Sequence, residues 1–316
     1  MSLYHQLIAG PIVRYADVAD EIDNRVITPS NFSYGINRLI EGLLKKVIIA
    51  NSAGQVATMF LDSNLNELSI LGAWFGIVMY TIQIYFDFSG YSDMAIGLGR
   101  MFGFTYKENF NYPYIATSVQ DFWRRWHISL SSFFRDYVYI PLGGNRKHYV
   151  RNVIIVWMLT GFWHGASWNF IIWGLYYGIF LLMEKFFLSK ALKKAPAVFS
   201  HIYLMLVVII GWVFFYFTDI TRGIEFIGIL FGRGNNPLYD IKFEVEFFNN
   251  IILFIFAIIL STPVFKKIYG KISSHADNSI HNGSKLVVVA FNALILIIST
   301  VLLVGQTYTP FLYFKF

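Results

Sequence analysis

Two residues of this chain carry more chemical potential than the rest, His164 and His127. His164 lies within Val153 to Met183, a run with no other acid or base. A helix from Arg151 to His164 rises about 20 Å, which carries the imidazole well inside a bilayer's hydrocarbon core. An ionisable side chain at that depth is expensive and marks a functional site by default. Burial there favours the neutral imidazole, a proton acceptor, and a general base of that kind activates a hydroxyl toward a thioester carbonyl. The competing reading is an imidazole that only bridges two helices by a hydrogen bond.

His127 closes the run Asp121-Phe122-Trp123-Arg124-Arg125-Trp126-His127, where an acid, two arginines, two tryptophans and a histidine stand together. Its competing reading is contact with headgroups or backbone at the membrane surface. If the run is helical, Asp121 lies one turn from Arg124 and Arg125 and can pair with them. Arg124, Arg125 and Arg135 have the guanidinium geometry for the phosphates of a cofactor or a carrier's prosthetic group, and equally for anionic lipid. Asp87 and Asp93 flank Ser89-Gly90-Tyr91 just past the expected end of a span. A carboxylate there orients an imidazole or binds an ion, or else ends a helix among headgroups. His5, His148, His201, His275 and His281 read as residues of loops and span ends.

The chain has no cysteine, so disulfides, thiolate nucleophiles and thiolate metal sites are excluded. It also lacks a P-loop and a zinc-protease motif, and Gly97, Gly99 and Gly103 form only a weak glycine pattern with no strand before it. The net charge of +6 is distributed by loop and does not gather into a nucleic-acid-binding surface.

The elements that must position these residues are membrane helices. Of 316 residues, 56% are hydrophobic and 14% charged, where a soluble domain carries nearer 25% charged. The apolar residues are blocked into runs: Leu68 to Phe86, Val153 to Met183, Val198 to Phe217, Phe247 to Leu260 and Leu286 to Val304. Runs of about 20 apolar residues match the bilayer core. Val153 to Met183 is too long for one span and too short for two. It is read as a hairpin of short or broken helices, with Gly161 to Ser167 supplying the small residues for a break. Residues 1–35 are read as an interfacial entry segment. Ile36 to Phe60 is an amphipathic interfacial helix or a packed span. Residues 36–152 hold helices and a motif-rich region too polar for lipid, and 184–316 hold the last spans, all in one membrane domain. Lys185, Lys190, Lys193 and Lys194 occupy one loop and Lys266, Lys267, Lys271 and Lys285 another. The acid-rich segment 218–246 lies between them, so the lysine loops are placed in the cytoplasm.

Five motifs in order closely resemble the membrane-bound O-acyltransferase family, in its bacterial alginate O-acetylation protein-like branch. They are Tyr85-Phe86-Asp87-Phe88-Ser89-Gly90-Tyr91-Ser92-Asp93, Asn109 to Tyr114, Asp121 to Ser131, Arg135 to Gly144, and Gly161-Phe162-Trp163-His164-Gly165. The similarity runs from Gln6-Leu7-Ile8-Ala9-Gly10-Pro11 to the closing Pro310 to Phe316. It implies an all-α polytopic membrane bundle around a central funnel, with re-entrant or broken helices. It also implies His164 as the catalytic histidine and His127 as the second active-site histidine. Arg124, Arg125, Asp121, Trp123, Trp163 and Asp87 are candidates for substrate or donor binding, and no metal is expected.

The resemblance further implies transfer of an acyl group, acetyl foremost, from a cytoplasmic thioester donor toward a hydroxyl of an exported polysaccharide. The donor is acetyl-CoA or an acyl carrier protein, with no bound cofactor. The setting is the bacterial inner membrane among its lipids, and a partner of the SGNH-hydrolase type completes the transfer. Family members usually carry several more spans ahead of Gln6. The expectation is therefore a fragment, a misplaced start, or a separate polypeptide supplying those helices. Two other readings stay open on sequence alone: a proton-coupled transporter, and an inactive truncated relative acting as scaffold.

Overall fold

A computed structural model describes residues 10–264, 266–267, 278–304 and 311–312, without the side chains of 278–285. His5, His275, Lys271, the Gln6 to Ala9 stretch and most of the closing aromatic segment lie outside the described residues, as do the side chains of His281 and Lys285. The chain runs through α1 (Tyr15–Asn24), α2 (Pro29–Leu43), a π-helical turn (Leu44–Ala50), α3 (Asn51–Leu61) and α4 (Ile70–Met101). Then come α5 (Val119–Arg125), α6 (Ile128–Phe134), a second π turn (Arg135–Tyr139), α7 (Tyr149–His164) and α8 (Trp168–Met183). A third π turn (Glu184–Leu188) precedes α9 (Ser189–Lys194), α10 (Ala197–Tyr216), α11 (Ile220–Leu230), α12 (Ile241–Leu260) and α13 (Asn278–Val304). No strand occurs among the described residues.

Among the described residues, five stretches are long and apolar enough to cross a membrane: Ile70–Met101, Trp168–Lys194, Ala197–Tyr216, Ile241–Leu260 and Leu286–Val304. The chain is an all-α polytopic membrane protein. The hydrophobic surface of α12 shows why: of its residues only Ala257 is buried, which suits a helix solvated by lipid. Local signals fix the helix ends. Thr28 accepts the Asn31 N–H at 3.1 Å and Pro29 takes the first turn of α2, while the Asp219 carboxylate accepts the Thr221 N–H at 2.9 Å to start α11. The acid-rich segment expected as a loop therefore contains a helix of its own.

The chain divides into two compact units. The first takes in the described residues of 1–53, 82–109 and 253–315. Here α2 and the later part of α4 pack backbone to backbone: a Cβ added to Gly42 would lie 2.5 Å from the Gly90 carbonyl oxygen. Small residues allow that approach, as in other membrane helix pairs. The approach seats α2 and the first π turn against the acids of α4. Lys46 pairs with Asp87, Lys45 with Asp93, and Arg38 reaches Asp93 at 2.7 Å and Glu108 at 2.5 Å.

This corrects the expected end of a span near Phe86. The helix continues to Met101, and Asp87 and Asp93 lie inside it, not at its terminus. Their charges need no exit to headgroups because cations from α2 and the first π turn meet them in place.

The second unit takes in 54–81 and 110–252. Its helices are tied by long-range bonds such as the Trp74 indole to Leu230 O (2.9 Å) and Arg222 to Ser63 O (2.8 Å). Its core is aromatic: Phe60, Tyr80, Phe122, Trp173, Tyr177 and Trp212 are among the largest fully buried side chains.

Candidate functional site

The second unit holds the site candidates other than Asp87 and Asp93. His164 is the last residue of α7, and the chain breaks at 165–167 before α8 begins at Trp168. The two helices lie so close that a Cβ on Gly161 would meet Phe170 O at 2.3 Å, and one on Gly174 would meet Trp157 O at 2.2 Å. Placing His164 at the break frees its ring from the helix body and turns it against α8. The ring stacks on Trp173 (centroids 4.8 Å, planes 28° apart), meets Phe215 of α10 edge-on at 5.5 Å, and adjoins Trp163 at 4.9 Å. Its Nδ1 is buried and has no hydrogen-bond partner among the described residues.

His127 arrives by a different route. Ser118 caps α5 by accepting the Asp121 N–H at 3.1 Å, and the helix ends at Arg125. His127 then takes a left-handed backbone, φ 44°, before α6 starts. That conformation is uncommon for a residue with a side chain and costs about 1–3 kcal/mol, a kind of strain that clusters at functional sites. The residue is 3% exposed, and its ring lies with Nδ1 3.4 Å from Ser129 Oγ and packs against Trp163 at 5.9 Å. Burial, and then the charge His164 would carry, hold its pKa well below the ordinary histidine value. Trp163, itself 39% exposed, thus touches both imidazoles.

The remaining candidates divide. Arg125 pairs with Asp121 at 2.9 Å, one turn apart as expected, and exchanges backbone contact with Asn111, whose N–H donates to Arg125 O at 2.9 Å. Arg124 is exposed and free of that pair, the better placed of the two for an anion. Trp123 is buried against Trp157, Tyr177 and Trp173 at centroid distances of 4.7, 4.9 and 5.6 Å. Asp87 belongs to the first unit, where it pairs with Lys46 and accepts the Leu312 N–H at 2.8 Å. Among the described residues no group of three or more His, Asp or Glu side chains is placed to hold a metal ion.

Sequence reasoning passed over Trp173, Phe215, Ser129 and Glu184. Only spacing hinted at Trp173, which lies in the turns just beyond the Gly165 break; Ser129 stands two residues from His127 in the Asp121 to Ser131 motif, and Phe215 and Glu184 are brought in by tertiary packing.

The model of the membrane-bound O-acyltransferase family matches residues 1–224, most of the chain. The chain belongs to this family. Similar curated proteins include the probable alginate O-acetylase AlgI of Pseudomonas putida, 37% identical over 333 residues that cover 100% of this chain and 68% of that protein. The peptidoglycan O-acetyltransferase of Helicobacter pylori is 36% identical over 335 residues, covering 100% of this chain and 63% of its own length. The teichoic acid D-alanyltransferase of Bacillus subtilis is 32% identical over 205 residues, 60% of this chain and 51% of its own. The chain therefore spans between about half and two thirds of the length of these family relatives. Both imidazoles fall within the part that the family model matches.

Proposed function

We propose that this chain carries the acyl-transfer centre of a membrane O-acyltransferase. It moves an acyl group, acetyl foremost, from a cytoplasmic thioester toward a hydroxyl of an exported polysaccharide. The observation that supports this most is the pair of imidazoles that both contact Trp163, His127 buried and His164 at the break between α7 and α8. In this reading His164 takes the proton of the attacking hydroxyl as its oxygen bonds to the thioester carbonyl carbon. The tetrahedral intermediate then collapses, the carbon–sulfur bond breaks, and the imidazolium returns its proton to the leaving thiolate. Each turnover converts thioester and alcohol into ester and thiol and leaves the base as it began.

His127 is the second active-site group, and its neutral ring can form a hydrogen bond to substrate without placing a charge beside His164. Arg124 is the candidate for a phosphate of coenzyme A or of a carrier protein's prosthetic group, and Trp163, in contact with both imidazoles, and Trp123, packed on the Trp173 that stacks on His164, are the candidate rings for holding substrate. The donor is acetyl-CoA or an acyl carrier protein. The enzyme works in the bacterial inner membrane, around a funnel open to both faces, with a partner of the SGNH-hydrolase type completing transfer to the sugar. The relatives' names favour a polysaccharide or peptidoglycan acceptor.

Purified protein in proteoliposomes, supplied with acetyl-CoA inside and acceptor polymer outside, tests the reading. His164→Ala is expected to lower acyl transfer about 10²–10⁴-fold, the usual worth of a positioned general base. Equal transfer by wild type and variant would overturn the assignment.

A further inference from the structure

We propose that Glu184 is a positioning residue for this centre: through the N-terminus of α5 it holds His127 in register with His164. The proposal rests on the acyl-transfer reading for its kinetic part and on geometry alone for its structural part. α5 has only seven residues, Val119–Arg125, far below the length at which a helix persists unaided. Its first four N–H groups have no partner within the helix and must be satisfied from outside.

The structure accounts for three of them. Phe122 makes the helix's own first bond, to Ser118 O at 2.9 Å, and Ser118 Oγ accepts from Asp121 at 3.1 Å. The other two, Val119 and Gln120, both donate to the Glu184 carboxylate, at 2.6 and 3.1 Å. Glu184 comes from 65 residues away and is 5% exposed. It stands where α8 gives way to a π-helical turn, the kind of local widening that recurs at functional sites. Between Asp136 and Asp219 it is the only acidic residue in the sequence. Charge-assisted bonds from a buried carboxylate to two backbone amides are strong and directional, and an anion suits a helix N-terminus.

What makes the cap more than a local anchor is the element it comes from. α8 starts directly after the break that follows His164, and its Trp173 stacks on the His164 ring. The same helix presses Trp173 and Tyr177 against Trp123 of α5. Glu184 then fixes the first turn of α5, and the last turn of α5 leads within two residues into the strained backbone of His127. One rigid helix therefore sets the positions of both imidazoles. A shift of about 1 Å at a reacting group costs on the order of 10²-fold in rate.

The test uses the full chain in nanodiscs. In Glu184→Ala, and to a smaller extent in Glu184→Gln, which keeps one acceptor oxygen, amide exchange across residues 118–126 is expected to quicken while that of α10 stays as in wild type. Unchanged exchange at 118–126, or acceleration of every helix alike, overturns the cap. In the transfer assay, Glu184→Gln is expected to lower kcat about tenfold or more, with the donor KM within about twofold of wild type. Its effect should shrink to less than about twofold in a His127→Ala background, because the group it positions is already gone. An equal loss in both backgrounds overturns the positioning role. If His164→Ala transfers as well as wild type, the acyl-transfer reading fails, and the exchange result still decides whether Glu184 caps α5.

Discussion

A histidine that works as a base usually has its second nitrogen held by a carboxylate or a carbonyl, which sets tautomer and orientation together. His164 has no such holder among the described residues; its Nδ1 is buried against aromatic carbon. Orientation falls to the rings, with Trp173 stacked beneath, Phe215 edge-on and Trp163 alongside. A flat partner constrains the plane of the imidazole far better than an aliphatic one of similar volume. Trp173→Phe, which keeps a stacking face, is therefore expected to retain kcat within about threefold. Trp173→Leu is expected to lose about 10–100-fold at comparable yields of folded protein. Steady-state kinetics on the two purified variants checks this, and matching values for Phe and Leu would mean that the ring does not orient the base. Of these features the sequence pointed to His164 itself and its small-residue neighbourhood. Trp173 was one aromatic among many in an apolar run, and nothing in its local context separated a ring under the histidine from a ring facing lipid.

At the level of elements, the hairpin of α7 and α8 is the part on which the proposed centre depends. The apolar run from Val153 to Met183 was readable as a broken hairpin because its length fits neither one span nor two. The position of the break within Gly161 to Ser167 was not readable, since Gly161 could equally have been the break or, as found, a contact. It proves to be a contact, facing Phe170 O, and Gly174 faces Trp157 O in the same way. A methyl group at Gly174 would stand 2.2 Å from a backbone oxygen, which cannot rotate aside as a side chain would. Gly174→Ala must push the helices apart, and a loss of about 1–3 kcal/mol is expected, the usual cost of overpacking. Gly223 in α11 offers the contrast, because its added Cβ would meet Phe217 at an ordinary 3.4 Å. Gly223→Ala is expected to be neutral or to stabilise slightly through helix propensity. Thermal unfolding in detergent measures both, and a Gly174→Ala variant as stable as Gly223→Ala would show that α7 and α8 have room to spare. The span expected to stop near Phe86 shows the opposite failure of local reading. Asp87 and Asp93 look like an ending only while the cations that meet them, from Arg38, Lys45 and Lys46 far upstream, are out of view.

For the whole molecule, composition alone gave the class, because a chain so apolar and so blocked into runs of membrane length has few other solutions. Composition does not say how such a protein tolerates charge inside its helical packing, and the first unit answers that with ion pairs: Lys46 with Asp87, Lys45 and Arg38 with Asp93. Both side chains of the Lys46–Asp87 pair are nearly sealed from solvent, at 10% and 4% exposed, so screening takes little from it. Its net contribution is nevertheless the small difference between attraction and the cost of stripping two ions of water. Removing one partner is a different matter, since the other charge stays behind in a poor dielectric. Asp87→Ala or Lys46→Ala is expected to cost about 3–5 kcal/mol, whereas the double variant Lys46→Met with Asp87→Leu should recover most of that loss. Denaturant or thermal unfolding of the three variants reads the difference directly. Asp87 also receives the Leu312 N–H, so recovery in the double variant should fall short by about one hydrogen bond, roughly 1 kcal/mol. A double variant no more stable than the worse single one would mean that the pair is held by a wider polar network than its two members. Asp87 would then have to be considered again as a working group, because a carboxylate that no apolar replacement can spare is doing more than balancing a lysine.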